Sequence, residues 1–225
     1  MVGIVFIWRV FMAKAVFFDL DGTVLDTLED IADCMNMALE ELGYQPKTYA
    51  EYRPVVGNDA PNFVRKLLGE MPYEELMRIW NCYIPYVEKY GTLKSKVFDG
   101  LKEVILTLKE RGFKPVLYTN KTPDELVPFI DKFLSDIGFE VIEGVGGTKY
   151  SKPCPNRVIE ILQQLGVDKK DAYFVGDGET DMFTATNSGI NAVGVLWGNR
   201  DEGQLLESGA KFIAKKPCDL LDIIK

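Results

Sequence analysis

The sequence contains no histidine in its 225 residues, and this absence restricts the chemistry that it can perform. Catalytic triads that depend on histidine, histidine-ligated zinc and phosphohistidine chemistry are all excluded. Acid and base catalysis must therefore come from carboxylates, lysine, tyrosine or cysteine. Cysteine is also scarce, and the four present are widely spaced without a Cys-x-x-Cys pair: Cys34, Cys82, Cys154 and Cys218. This pattern predicts a reduced, cytoplasmic protein.

Positive charge is in short supply as well. Lysine and arginine total 26 against 34 aspartate and glutamate residues, which gives a formal net charge of −8. The chain has no basic block and no basic segment interleaved with aromatic residues, so nucleic-acid binding is not expected. Hydrophobic residues make up 47% and charged residues 27%. These fractions are typical of a soluble globular protein, and the length allows one large domain or a core with a smaller insert.

Long hydrophobic runs are absent too. Residues 1–11 are strongly apolar, but they are too short to span a bilayer. No basic segment precedes them and Arg9 interrupts them, so they do not read as a signal peptide. We therefore predict no membrane association. We expect either that Met12 is the natural start or that residues 1–11 form an extra packed segment.

The segment around which the chain is organised is VFFDLDGTVLDT at residues 16–27. Residues 15–20 form an apolar, aromatic-rich run of strand character, which Gly22 ends directly after Asp19 and Asp21. Alternate residues of a strand face the same side, so the two carboxylates can address one small volume. Because carboxylates so close repel each other, the pair indicates a cation such as Mg²⁺. The tripeptide alone is equally typical of a solvated turn.

A helical region follows this segment. Apolar residues recur at three- and four-residue steps over residues 28–42, and Gly43 ends the run. Further helices are predicted at about 60–68 and 73–90, and Pro85 is expected to kink or split the last one. No strand is predicted between residues 27 and 95. We therefore predict an all-helical insert over residues 28–95.

Strands alternate with helices in the remainder of the chain. Strands are predicted at 114–119, 139–142, 172–175 and 192–196, and helices at 99–111, 122–134, 155–165, 179–188 and 218–224. Such alternation predicts an α/β fold, a Rossmann-like parallel sheet covered on both faces, formed by residues 12–27 and 96–225. Ligands of such sheets bind at the carboxyl ends of the strands. The polar motifs, including Thr119, Asn120 and Asp177, fall at those ends and indicate one shared site.

Four of these motifs resemble, in order, those of the haloacid dehalogenase-like hydrolases. They are DLDGTVLDT at 19–27, LYTN at 117–120, SKPCP at 151–155 and VGDGETD at 175–181. The resemblance extends from residue 15 to the C-terminus and places the insert where this family carries its C1 cap. The segments TNK at 119–121, GI at 189–190 and VLWG at 195–198 are most similar to the phosphoglycolate phosphatase group. Gly178 departs from the family pattern, in which serine is frequent.

This resemblance implies the catalytic roles. Asp19 would be the nucleophile that forms an aspartyl phosphate, and Asp21 the acid and base. The presence of an aspartate at position 21 also argues against dehalogenase activity. Thr119 would donate to a phosphoryl oxygen, and Asn120 would orient the phosphate or the nucleophile. Lys152 would stabilise Asp19 and the phosphate.

The resemblance also implies a Mg²⁺ site. The carboxylates of Asp19 and Asp177 and the backbone carbonyl of Asp21 would bind the metal directly. Asp181 would either bind it through water or hold Lys152 in place. The metal is expected on electrostatic grounds, because a phosphate dianion joins several carboxylates in one place.

Candidate substrate contacts come from two regions. Gly22, Thr23 and Lys121 accompany the catalytic motifs, and the loop RPVVGN at 53–58 is expected to reach towards the active site. Asn58 could touch the substrate and Arg53 could pair with a carboxylate, although a plain turn between helices is equally consistent with this loop.

The sequence therefore predicts a Mg²⁺-dependent phosphatase, a phosphoric monoester hydrolase that acts on a small phosphorylated metabolite, with 2-phosphoglycolate as the first substrate candidate. The alternatives are a sugar phosphomutase of the β-phosphoglucomutase kind, a pyrophosphatase and a catalytically idle phosphate-binding protein. The chain is expected to be a monomer or a homodimer.

Overall fold

The computed structural model describes residues 13–225, and its centre is a six-stranded sheet in which every pairing is parallel. The strands of this sheet are β1 (Ala13–Phe18), β4 (Phe113–Thr119), β5 (Val141–Gly144), β6 (Val167–Gly176), β7 (Asn191–Val195) and β8 (Phe212–Ala214). Their order in the sheet is β5-β4-β1-β6-β7-β8. A second, two-stranded sheet pairs β2 (Leu25–Asp26) with β3 (Lys96–Val97) in antiparallel fashion. The predictions for Met12 and for residues 1–11 lie outside the described residues.

Helices cover the sheet and form the insert. They are α1 (Leu28–Glu41), α2 (Tyr49–Tyr52), α3 (Ala60–Leu68), α4 (Tyr73–Tyr90), α5 (Leu101–Glu110), α6 (Pro123–Phe129), α7 (Asn156–Leu165), α8 (Glu179–Ser188), α9 (Glu202–Glu207) and α10 (Leu220–Ile223). A π-helical turn (Ile130–Leu134) continues α6, and a 3₁₀ turn (Pro217–Asp219) precedes α10. Among the residues that the structure describes, no helix is both long enough and apolar enough to cross a membrane.

Strand β1 lies in the middle of the large sheet and is buried on both faces. Phe18 packs in one hydrophobic cluster with residues of α5 and α6, whereas Phe17 packs in a second cluster with residues of α7 and α8. Adjacent residues on a strand point to opposite faces, so the apolar run of β1 serves both clusters. The predicted α/β fold with a covered parallel sheet is confirmed.

The insert packs around a third hydrophobic cluster. This cluster takes its buried residues from α1, α2, α3, α4 and the loop after α2, and it shares none of them with the two clusters on the sheet. The pairing of β2 with β3 joins the two places where the chain passes between sheet and insert. Buried Asp30 supports the same crossing, because its carboxylate accepts hydrogen bonds from the backbone of Lys94 and Ser95. The partition at residues 28–95 remains a prediction that this packing supports.

Some local predictions differ from the structure. Of the two outcomes predicted at Pro85, a kink or a split, the split is wrong, because α4 runs without interruption from Tyr73 to Tyr90. Proline removes one backbone donor, but α4 buries Ile79, Tyr83 and Val87 in the third cluster, and this packing outweighs the lost hydrogen bond. The predicted strand at 172–175 begins five residues earlier, at Val167. The short elements α2, α9 and β8 carry too few periodic residues to be predicted from sequence.

Candidate active site

Three neighbouring strands bring the polar motifs together. Asp19 directly follows β1, Thr119 is the last residue of β4, and Asp177 directly follows β6. Because β1 lies between β4 and β6 in a parallel sheet, their carboxyl ends meet at one edge. All three side chains are buried. The site therefore lies where the alternation of strands and helices predicts it.

A buried acidic cluster is the centre of this site. One carboxylate oxygen from each of Asp19, Asp177 and Asp181 lies within 4.8 Å of the others. Lys152 Nζ lies 2.7 Å from Asp19 Oδ1 and 2.6 Å from Asp181 Oδ1, and its side chain is inaccessible to solvent. Lys152 lies in the loop before α7, and its ammonium bridges two of the three carboxylates.

Burial and mutual repulsion perturb these carboxylates. Burial, followed by the charge of Asp181, raises the pKa of Asp19 to about 7. Burial and the charge of Asp19 raise the pKa of Asp177 to about 6, and burial raises the pKa of Asp181. Although burial alone would lower the pKa of Lys152, the charges of Asp181 and Asp19 hold it above its ordinary value. The cluster is therefore short of positive charge.

The donor set fits a hard divalent cation. Three ionised carboxylates against one ammonium leave about two uncompensated negative charges in a buried place, which is costly. Carboxylate oxygens are the ligands that Mg²⁺ prefers. Both contacts of the Asp19 carboxylate fall on Oδ1, from Lys152 Nζ and from the Leu20 N–H at 2.7 Å. Together the three carboxylates offer the oxygen ligands and the negative charge that such a cation needs.

Asp181 has contacts on both of its carboxylate oxygens. Oδ1 accepts a hydrogen bond from Lys152 Nζ at 2.6 Å, and Oδ2 accepts one from the Gly178 N–H at 3.0 Å. Of the two roles considered for Asp181, this arrangement favours holding Lys152 in place. Gly178 contributes its backbone N–H here, so this contact needs no side-chain hydroxyl at position 178.

Asp177 is oriented by three donors. Its Oδ1 accepts a hydrogen bond from Thr23 Oγ1 at 3.1 Å, and its Oδ2 accepts from Asn199 N at 2.7 Å and Asn199 Nδ2 at 3.0 Å. Thr23, which is predicted as a substrate contact, donates its hydroxyl hydrogen bond to this candidate metal ligand. Asn199 was not predicted. Its only sequence signal is its place in the loop after β7, the strand next to β6.

Gly22 packs directly against Asp177. A Cβ atom at this position would lie 2.2 Å from Asp177 Oδ2, and the backbone φ angle is +79°. Both facts require glycine, since other residues rarely adopt this φ and none fits the space. Gly22 is also predicted as a substrate contact, and the structure places it against the candidate metal ligand.

We expect Gly22→Ala to weaken the metal site. Its backbone strain costs about 1–2 kcal/mol, and the new methyl group must displace Asp177, so Mg²⁺ affinity and activity should fall about 10- to 100-fold. Gly43→Ala is a matched control because Gly43 has a φ of +81° and nothing within 4 Å of its Cβ position. Mg²⁺ titration calorimetry and thermal unfolding would measure both. Equal losses of Mg²⁺ affinity in the two variants would contradict the expectation.

Asp21 is held by two partners. Thr27 Oγ1 donates a hydrogen bond to Asp21 Oδ1 at 2.6 Å, and Lys121 Nζ lies 3.1 Å from Asp21 Oδ2. Burial disfavours the charge of Lys121, but the neighbouring Asp21 and Glu125 carboxylates raise its pKa overall. Lys121 lies beside the proposed acid, where it also lines the pocket described below.

Asn120 and Thr119 contact the surrounding loops. Asn120 Oδ1 accepts a hydrogen bond from Lys152 N at 2.8 Å, and Asn120 Nδ2 donates one to the Gly57 carbonyl at 3.0 Å. Thr119 Oγ1 accepts from Lys121 N at 3.2 Å. Asn120 therefore connects the site with both the Lys152 loop and the loop of the insert.

A pocket lies between the insert and the sheet. Asn58, which is predicted as a substrate contact, lines it together with Asp21, Thr119, Asn120 and Lys121. Further lining residues were not predicted as site residues: Ile31, Val56, Gly57, Phe63, Trp80, Tyr83 and Glu125. Val56 and Gly57 belong to the loop at 53–58 that is expected to reach towards the site, and Glu125 belongs to a capping box. For Ile31, Phe63, Trp80 and Tyr83 the sequence signal is helical spacing, which is equally typical of a core face.

Arg53 lies on another flank of the site. Its guanidinium donates a hydrogen bond to the Gly198 carbonyl at 3.3 Å, and it does not line the pocket that contains Asn58. Of these two predicted substrate contacts, Asn58 lines the pocket and Arg53 lies outside it.

The family model for haloacid dehalogenase-like hydrolases matches residues 16–195. The chain belongs to this family. A candidate pyrophosphatase, PpaX, of Caldanaerobacter subterraneus subsp. tengcongensis is 30% identical over 212 residues, which are 94% of each chain. A phosphoglycolate phosphatase of Pseudomonas fluorescens is 28% identical over 83% of this chain and 71% of its own.

The fold has close structural neighbours. The crystal structure of a predicted phosphoglycolate phosphatase from Haemophilus somnus aligns with a TM-score of 0.84 over 95% of this chain and 98% of its own, at 24% identity. This likeness covers both the sheet and the helical insert. The relatives named as phosphatases indicate that this chain is a phosphatase of the haloacid dehalogenase-like family.

Proposed function

We propose that this protein is a Mg²⁺-dependent phosphomonoester hydrolase that acts through an aspartyl phosphate, with 2-phosphoglycolate as its first substrate candidate. The observation that carries the proposal is the buried contact of Lys152 with Asp19 and Asp181, beside Asp177 and with Asp21 two residues from Asp19. One edge of the sheet thus brings together a proposed nucleophile, a cation for the phosphate, a candidate metal ligand and a proposed acid.

Asp19 is the proposed nucleophile. Its Oδ1 is held by Lys152 and by the Leu20 N–H, which leaves Oδ2 for attack on phosphorus. A bond forms between this oxygen and phosphorus, and the bond from phosphorus to the leaving oxygen breaks. Mg²⁺ held by Asp19, Asp177 and the Asp21 carbonyl would reduce the repulsion between the nucleophile and the phosphate dianion. Lys152 contributes a positive charge to the same end.

Asp21 is the proposed acid and base. Thr27 fixes one of its oxygens, and the other faces Lys121 at the wall of the pocket. Asp21 would give a proton to the leaving alkoxide and later take one from the water that cleaves the aspartyl phosphate. The second step returns Asp19 and releases inorganic phosphate. Thr119 and Asn120 would orient the phosphate and the loops around it.

The pocket supports a small substrate. Asn58 and Lys121 offer polar contacts in its lining, which suit a small polar substrate. A relative named phosphoglycolate phosphatase supports 2-phosphoglycolate as the first candidate. Pyrophosphate is the second candidate, because a more similar relative is named after that activity.

The remaining alternatives have less support. The retained Asp19, Asp21, Lys152 and Asp177 argue against a catalytically idle phosphate-binding protein, and a sugar phosphomutase would need a bisphosphate activator and a pocket matched to a sugar. The cytoplasmic location and the monomeric or homodimeric state remain proposals from the sequence.

Phosphate release tests the proposed function. Purified protein is assayed with 2-phosphoglycolate, pyrophosphate, sugar phosphates, nucleotides and p-nitrophenyl phosphate, with Mg²⁺ and with a chelator. We expect release that requires Mg²⁺, because the buried carboxylates repel a phosphate without it. A preference for 2-phosphoglycolate would support the substrate assignment. Release from none of the substrates in the presence of Mg²⁺ would overturn the hydrolase proposal.

A further inference from the structure

Arg200 is a buried arginine that none of the sequence motifs includes. It follows Asn199 in the loop after β7, and its side chain is 2% exposed. Its Nε lies 3.0 and 2.9 Å from the two carboxylate oxygens of Glu179, the first residue of α8. A buried guanidinium needs such partners, because an unpaired buried charge is strongly destabilising.

The other nitrogens of Arg200 bind the loop of the insert. Nη1 donates a hydrogen bond to the Arg53 carbonyl at 2.7 Å. Nη2 donates to the Pro54 carbonyl at 2.8 Å and to the Val56 carbonyl at 3.3 Å. Three hydrogen bonds therefore tie a residue of the sheet region to residues 53–56, which are separated from it by more than 140 positions in the chain.

This loop continues into the wall of the pocket. The Gly57 carbonyl accepts hydrogen bonds from Asn120 Nδ2 at 3.0 Å and from Thr180 Oγ1 at 3.4 Å. Asn58 follows and lines the pocket beside Asp21. The neutral side chains of Asn120 and Thr180 thus hold the loop at Gly57. The buried charge of Arg200 holds it at residues 53–56.

Arg200 also reaches the metal side of the site. Its partner Glu179 is two residues after Asp177, and Asn199, the residue before Arg200, donates two hydrogen bonds to the Asp177 carboxylate. The loop at 198–200 therefore touches the insert on one side and a candidate metal ligand on the other. A movement of the insert loop at residues 53–56 would therefore be transmitted through the loop at 198–200 to Asp177.

We propose that Arg200 is a positioning residue, which holds the insert loop at residues 53–58 over the active site and aligns it with the Asp177 loop. The inference rests on the proposed function for its kinetic consequence. Loss of the guanidinium leaves three carbonyls and the Glu179 carboxylate without their donor. Since a misplacement of about 1 Å can reduce the rate about 10²-fold, the loop should then admit substrate but fail to align it.

Arg200→Met tests the proposal, because methionine fills part of the space and provides no donor. We expect kcat/KM to fall about 10²-fold with the best substrate of the panel. Arg157→Met is the matched control: Arg157 also makes a bidentate contact with a glutamate, Glu143, and its side chain is 21% exposed. This control should lower thermal stability while it changes kcat/KM less than about threefold.

Hydrogen exchange provides a readout that needs no substrate. The backbone N–H groups of Val55 and Val56 donate to the Tyr52 carbonyl, and that of Asn58 donates to the Val55 carbonyl. In Arg200→Met we expect faster exchange in peptides that cover residues 49–59, and unchanged exchange in β1. Arg200→Lys, which keeps the charge but loses the fork of donors, should show an intermediate increase. It also serves as the test variant if Arg200→Met does not fold.

The outcomes separate the two proposals. A wild-type protein that hydrolyses no phosphoester would overturn the proposed function, and the exchange of residues 49–59 would still decide whether Arg200 holds the loop. Exchange and kcat/KM that match those of Arg157→Met would overturn the role of Arg200. Faster exchange of the loop together with a selective loss of kcat/KM would support it.

Discussion

Asp19→Asn is expected to abolish phosphate release while the fold remains intact. The amide has nearly the shape of the carboxylate but cannot attack phosphorus, so kcat should fall by at least about 10⁴-fold. Lys152 retains its contact with Asp181 in this variant. The change also removes one of three mutually repelling buried carboxylates, so the metal-free variant should unfold at no lower temperature than the wild type.

The measurement is phosphate release with the best substrate of the panel, together with circular dichroism and thermal unfolding of the metal-free protein. Asp168→Asn, a change of an exposed aspartate in β6, controls for the loss of an acid elsewhere and should keep full activity. Full activity of Asp19→Asn would contradict the assignment of the nucleophile.

Lys152→Met is expected to have the second large effect, on stability as well as on activity. The change leaves the carboxylates of Asp19, Asp177 and Asp181 in a buried cluster without their ammonium. Breaking a buried ion pair in this way costs about 3–5 kcal/mol of unfolding free energy at neutral pH. Loss of the positive charge that faces the phosphate should reduce kcat about 10²- to 10³-fold.

The loss of stability should depend on pH in a defined direction. The pKa values of Asp19 and Asp177 are about 7 and about 6 in the folded protein, above their ordinary value of 3.8. Between the ordinary pKa of 3.8 and these raised values, the folded state binds more protons than the unfolded chain. The contribution of these groups to stability therefore falls as the pH rises from about 4 to about 7. Without Lys152 this fall should be steeper, and acidification to pH 5 should restore stability.

Urea unfolding at pH 5 and pH 7 without metal would measure this effect. Lys114→Met is the control, because Lys114 is a partly buried lysine whose Nζ donates to the Leu165 carbonyl rather than to a carboxylate. It should lower stability equally at both pH values. A loss in Lys152→Met that does not change between pH 5 and pH 7 would show that Lys152 does not compensate the acidic cluster.

Much of the fold was determined by local pattern. The apolar run before Asp19 and the capping box at Thr122 and Glu125 have the same meaning in the sequence and in the structure. The helices at 60–68 and 179–188 were predicted with the observed bounds. In each case the signal lies within a few residues, so tertiary contacts were not needed to recognise it.

The sequence also determined which residues could form the candidate site. Asp19, Thr119 and Asp177 each stand at the end of an apolar run, and parallel strands place such ends together. Neighbouring strands in the sheet therefore bring them into one volume without further information. The order of the motifs identified the family for the same reason, since the motifs occupy successive strand ends and loops.

Tertiary structure alone decided how those side chains are used. Thr23 binds Asp177, Asn120 spans two loops, and Lys121 pairs with Asp21. Arg200 and the loop at residues 53–56 meet across more than 140 positions of the chain. Such contacts depend on how loops from separate elements pack at one edge of the sheet. No period or local motif records that packing, because the free energy that holds it comes from partners distant in the chain.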